Sequence, residues 1–192
     1  MKKILLLFLV MSFYAPIYAV DGYKDIKFKM TPEQVAEILS KKGTKVSKRT
    51  VKERLTLVCE DCYSIMGKMR NTQVEFFGKN RVARIFFDFT DETVVVGNKI
   101  TASELKPLRK ALRKKYGFYG KAKHLPWKSP LENYKVKFLL HSEFFGKKGQ
   151  IMVQYGTNYD RENINSLWYF TVEEANRILK KHHILKVSED DL

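Results

Sequence analysis

Five residues occur twice in this chain, and they constrain its architecture more than any other feature. Glu75-Phe76-Phe77-Gly78-Lys79 and Glu143-Phe144-Phe145-Gly146-Lys147 are identical and lie 68 positions apart. Each ends an apolar run at a glycine, where a hairpin turn is expected. A second spacing nearly matches the first. Thr31, Thr101 and Thr171 stand 70 residues apart, and each is followed three residues later by Gln34, Glu104 or Glu174. A Thr with Glu or Gln at the third position beyond it is a capping box, the start signal of a helix. Together the two spacings predict two copies of one helix-then-sheet unit, over residues 20–97 and 98–170. A C-terminal helix and an acidic tail are expected over 171–192. Short helices cannot bury one another alone, so the expected fold class is α+β, with the helices on one face of an antiparallel sheet.

Ahead of the first unit, Met1 to Ala19 reads as a secretory signal peptide. Lys2 and Lys3 form a positive start, Ile4 to Met11 is an unbroken apolar run, and Ile17-Tyr18-Ala19 offers a cleavage site. The expected location is periplasmic or secreted. The formal charge is +15, and about +13 remains once Lys2 and Lys3 are removed. So basic a surface bears on partners rather than on fold.

Within the units, Val35, Ile38 and Leu39 recur at helical spacing and Lys41-Lys42-Gly43 closes the first helix. The polar stretch 44–52 reads as a loop. Thr72 to Phe77 and Arg81 to Phe89 read as a hairpin joined by Gly78-Lys79-Asn80. Arg84, Phe86 and Asp88 fall on one side of the second strand, and Ile85, Phe87 and Phe89 on the other. In the second unit Leu105, Leu108, Leu112 and Tyr116 make one helical stripe, ended by Gly117. Thr93 to Val96, Tyr134 to His141, Gln150 to Tyr155 and Leu167 to Phe170 complete the expected strands. Pro126 and Pro130 mark an irregular link between them.

At Met30-Thr31-Pro32-Glu33-Gln34-Val35 the chain resembles the small envelope domain of the SmpA/OmlA (BamE) type. The resemblance covers Lys27 to Phe89. That domain shares its layout with the β-lactamase inhibitory proteins, which carry two such units in tandem. The resemblance implies a helical layer on an antiparallel sheet and a binding role rather than catalysis. The lipoproteins of that group carry a lipidated N-terminal Cys, and no Cys lies near the cleavage site here.

Cys59 and Cys62 are the two cysteines. In an exported chain they point to a structural disulfide across a tight turn. A redox pair would need a stabilised thiolate, which the intervening Glu60 and Asp61 oppose. His124, His141, His182 and His183 do not complete a zinc set with them, so no metal or other cofactor is expected. His141-Ser142-Glu143 has residue types suited to acid–base work, but adjacent strand residues face opposite ways. No phosphate loop or nucleophile elbow is present.

The strongest functional signal is electrostatic. Residues 105–131 contain no Asp or Glu, while Lys106, Arg109, Lys110, Arg113, Lys114, Lys115, Lys121, Lys123 and Lys128 fall within them. Tyr116, Phe118, Tyr119 and Trp127 are interleaved. Lys106, Arg109, Lys110, Arg113, Lys114, Lys123 and Trp127 are the candidate binding residues for an anionic partner. The structural alternative is a solvated helix face. A second basic run, Lys41 to Arg54, lies in the first unit. The expected function is an exported, non-catalytic envelope binding protein meeting an envelope protein or an anionic lipid or lipopolysaccharide surface, with nucleic acid disfavoured by export. The alternatives are a periplasmic enzyme acting on cell-wall or glycan material, and a secreted protein inhibitor.

Overall fold

A computed structural model describes residues 19–43, 45–51, 54–77, 81–89, 101, 103–124, 140–157 and 163–181. Two two-residue strands come first, β1 (Gly22–Tyr23) and β2 (Ile26–Lys27), paired as a small hairpin. Helix α1 (Pro32–Ser40) follows, opened by the expected capping box. The Thr31 N–H donates to Gln34 Oε1 at 3.0 Å, and the Gln34 N–H donates to Thr31 Oγ1. Four strands then run β3 (Lys45–Val51), β4 (Arg54–Ile65), β5 (Lys68–Phe77) and β6 (Arg81–Asp88). Helix α2 (Leu105–Tyr116) leads to β7 (Phe118–His124), β8 (Leu140–Phe145), β9 (Ile151–Thr157) and β10 (Asn163–Phe170), and α3 (Val172–Lys181) closes the series.

The eight long strands form one antiparallel sheet in the order β3-β4-β5-β6-β10-β9-β8-β7. Each set of four is a meander, and the two join where β6 pairs with β10, Phe87 opposite Leu167 and Ile85 opposite Tyr169. The sheet therefore runs unbroken from residues of the first expected unit into those of the second.

Both faces of the sheet are used. On one, Leu57, Val74, Ile85, Phe87, Leu167, Ile151, Val153 and Phe145 make the main core with Ile26, with Val35 and Leu39 of α1 and with Leu105 and Leu112 of α2. On the other, Phe144, Met152 and Phe170 pack with Ala175 and Leu179 of α3. The alternation is direct: Phe144 and Phe145 are neighbours in β8 and enter opposite clusters. Arg84 and Phe86 are half-buried on the second face, where Phe86 meets Trp168 at 4.2 Å between ring centroids.

The expected α+β class, with repeated helix-plus-sheet units and helices on one face, is thus corrected. The protein is mostly β. Its three described helices have 9, 12 and 10 residues, too few for a continuous layer, and α3 takes the opposite face from α1 and α2. The repeated pentapeptide does not mark a repeat either. Its first copy ends the third strand of one meander and its second copy ends the second strand of the other. In the first copy the first Phe, Phe76, faces the main core; in the second copy the second Phe, Phe145, does so. A one-residue offset in a strand exchanges the faces, so the two copies are out of phase.

Besides the two-residue β1 and β2, two strands of the large sheet were not visible in the sequence. Residues 45–51, expected as a loop, are β3, and the basic stretch after Gly117 is β7. Both are edge strands. Lys45, Lys48, Arg49 and Lys121 are exposed on them, which suits an edge that must not pair with another chain. Met1 to Tyr18, the hairpin turn at 78–80, the expected strand Thr93 to Val96, the boundary at 97/98, the Pro126–Pro130 link, residues 134–139 and the acidic tail lie outside the described residues.

Candidate functional site

Helix α2 is amphipathic in the expected sense. Leu105 and Leu112 are buried, and Leu108 and Tyr116 pack partly buried against the same core. Thr101 and Glu104 form reciprocal hydrogen bonds just ahead of its first turn, the Thr101 N–H donating to Glu104 Oε2 at 2.7 Å. At its end the Gly117 N–H donates to Arg113 O at 2.9 Å, and Gly117 holds a φ of 79°, open to glycine without strain.

Lys106, Lys110, Arg113 and Lys114 are exposed. At 100° per residue the four fall within an arc of about 100°, and from Lys106 to Lys114 the strip is about 12 Å long. Among the described residues none of the four is in an ion pair. Arg113 also lies 4.5 Å over the Phe118 ring. Arg113 and Lys114 stand in the last turn as well, where cations complement the helix dipole whatever else they do.

Arg109 behaves differently. It points inward, donating from Nε to Glu143 Oε2 at 2.9 Å and from Nη2 to Glu143 Oε1. Its guanidinium lies 4.5 Å over the Tyr155 ring, and the Tyr155 hydroxyl donates to Glu143 Oε1 at 3.2 Å. The hydrogen bonds that Arg109 donates to Glu143 raise the Arg109 pKa above its ordinary value, and burial raises that of Tyr155. His141 stacks on Tyr155 with centroids 5.2 Å apart. Of the candidate binding residues, four are thus brought together, and Arg109 is withdrawn into an internal pair. Lys123 lies in β7, but its side chain and Trp127 fall outside the described residues.

The Arg109–Glu143–Tyr155–His141 group was missed in the sequence, although a signal existed. His141 and Glu143 are two apart on a strand and so share a face. Only their immediate neighbour Ser142 faces away. The Glu143 carboxylate accepts three donors and is almost fully buried, so its role is to anchor α2 on β8 and β9.

The cysteines pair as a disulfide, Cys59 to Cys62, with Cα atoms 5.8 Å apart. They do not flank a hairpin turn. They lie inside β4, where the register with β5 shifts between Cys59 and Tyr63 and Asp61 takes a φ of 52°. Both sulfurs are buried against the end of α1, 3.7 Å and 3.6 Å from the Leu39 carbonyl oxygen. The negative end of a helix disfavours a thiolate, which suits a structural bridge. Gly43 lies directly over it, and a Cβ there would overlap both sulfurs.

Among the described residues no group of three His, Cys, Asp or Glu is placed to hold a metal ion, and no helix is long and apolar enough to cross a membrane. Fold and site together define a mostly β protein, built on one eight-stranded sheet, that presents a cationic helix. Compared with known protein families, with functionally characterised proteins and with solved structures, the chain matches none.

Proposed function

We propose that this is an exported, non-catalytic binding protein of the bacterial envelope, periplasmic or secreted, that engages an anionic partner through α2. The observation that carries the reading is the strip of Lys106, Lys110, Arg113 and Lys114, exposed together on a helix with no acidic residue. Cations near a surface of opposite sign are each worth about 1 kcal/mol and act additively over a Debye length. The partner is an anionic lipid or lipopolysaccharide surface, or an acidic envelope protein. The apolar run at Ile4 to Met11 supports export. The resemblance at Met30 to Val35 to the envelope domains of the SmpA/OmlA (BamE) type supports the binding role.

The test uses the tagged chain from Val20 onward, on envelope extract and on vesicles with and without anionic lipid, at low and high salt. Beside it runs the variant Lys106→Gln/Lys110→Gln/Arg113→Gln/Lys114→Gln. Binding lost both in high salt and in the variant supports the strip. A partner retained in both would move the working surface elsewhere, and the charge of α2 would be background.

A further inference from the structure

Three arginines of this protein grip a carboxylate through the same edge, Nε and Nη2 together. Arg109 holds Glu143 in this way, and Arg84 and Arg177 hold Glu174. That edge matches the two oxygens of a planar carboxylate. Arg70 carries the same edge, yet among the described residues neither its Nε nor its Nη2 has a hydrogen-bond partner. It is also only 3% exposed, so water does not replace the missing acceptor freely. A buried cation left in this state is strongly unfavourable, and native proteins keep few such groups without a reason.

The surroundings favour an anion. Arg70 sits on β5 opposite Tyr63 of β4, with its guanidinium 5.5 Å over the Phe89 ring. Two residues earlier on the same face, Lys68 reaches Glu104 at 3.6 Å, which places the start of α2 over this end of β5. The positive end of that helix therefore lies near a positive side chain. The N–H groups of Glu104, Leu105 and Lys106 already donate to Thr101 Oγ1, Thr101 O and Ser103 O, so the helix adds a field rather than donors. Burial pushes the Arg70 pKa down, and Asp88, Asp61 and Glu104 oppose this only through space. None of the three accepts a hydrogen bond from Nε or Nη2.

We propose that Arg70 is the anchor of a binding site for a small free carboxylate, held by Nε–H and Nη2–H beneath the first turn of α2. Both donor atoms are sealed from solvent, so only an anion as small as formate or acetate reaches them, as the side chains around Arg70 shift. The fork pairs with carboxylate and phosphate alike, so it is the enclosed position of Arg70 that favours the smaller, singly charged carboxylate.

The test is thermal unfolding of the chain from Val20 onward in sodium formate, acetate, phosphate or chloride at matched ionic strength. Alongside it, formate binding is followed by the line width of its carbon-13 resonance. Formate and acetate should raise Tm with the logarithm of their concentration, by roughly 5 to 10 °C at a hundredfold excess over the dissociation constant. Chloride and phosphate should not. Arg70→Met should abolish the rise and the line broadening, and Arg70→Lys, which keeps the charge but not the fork, should weaken both at least tenfold. The same rise with chloride, no rise with either carboxylate, or an undiminished rise in Arg70→Met would overturn the proposal. Should Arg70→Met fail to fold, the contrast of carboxylate with chloride on the unaltered chain decides alone.

Discussion

Replacing Glu174 by Ala should detach α3 from the sheet more than any apolar contact of that helix suggests. Glu174 accepts from Arg84 Nε at 2.6 Å and from Arg84 Nη2, and also from Arg177 at 2.9 and 2.7 Å. It is free for this because the Thr171 N–H, which a complete capping box would direct to Glu174, donates instead to Ala83 O at 3.0 Å. The Glu174 and Arg84 side chains are 8% and 13% exposed, so removing the carboxylate leaves a nearly buried guanidinium short of an acceptor. Breaking such a pair from one side costs about 3 to 5 kcal/mol. Arg84 keeps Glu75 at 3.0 Å, which lowers the expectation to about 2 to 3 kcal/mol. Urea unfolding followed by far-ultraviolet circular dichroism reads this directly, with an unchanged m-value.

The sign with pH follows from the same contacts. Burial opposes ionisation of Glu174, but the hydrogen bonds from Arg177 and Arg84 outweigh it and hold its pKa below the ordinary value. Its contribution is therefore complete above the unfolded glutamate pKa of about 4.3 and is lost as pH falls through the lower folded value. Glu174→Gln should flatten that part of the acid limb. A cost below about 0.5 kcal/mol for Glu174→Ala, or an acid limb unchanged in Glu174→Gln, would refute the reasoning, since an exposed pair behaves that way.

Other outcomes follow from single contacts. Arg109→Gln should cost about 2 to 3 kcal/mol in urea unfolding by stranding the buried Glu143, yet leave partner binding intact, the reverse of the Lys106/Lys110/Arg113/Lys114 variant. Removing the disulfide with Cys59→Ala/Cys62→Ala should cost about 2 kcal/mol, the value for so short a closed loop, and thiol labelling of the native chain should find neither cysteine reactive. Gly43→Ala should destabilise by about 1 to 3 kcal/mol, because its Cβ meets the buried sulfurs, and the loss should shrink once the disulfide is also removed. Lys48→Val/Arg49→Val should leave the unfolding midpoint nearly unchanged but raise self-association in light scattering, since both residues guard the β3 edge.

The sequence by itself determined the elements whose own residues carry a period. Alternation in Arg81 to Phe89 marks β6, Gln150 to Tyr155 falls on β9, and Leu167 to Phe170 ends β10. Thr31 and Gln34 mark the start of α1, and the leucine stripe marks α2. The pairing of Cys59 with Cys62 was legible from spacing and count. Only the tertiary structure decided the rest. Strand side chains point to the two faces of the sheet, and at its edges those faces are little covered, with Lys48, Arg49, Thr50 and Lys121 all exposed, so β3 and β7 carry no clear alternation and read as basic loops. A period shows which residues share a face but not which strand lies alongside, so the β6–β10 junction that makes one sheet could not be read. The identical pentapeptides looked equivalent until their phase against the core was known. The availability of a charge is likewise a property of what faces it. Arg109 and Lys110 are neighbours of the same sign, but Arg109 is held by a glutamate 34 residues away while Lys110 stays in solvent. Pairing over such distances is set by packing, and no local pattern encodes it.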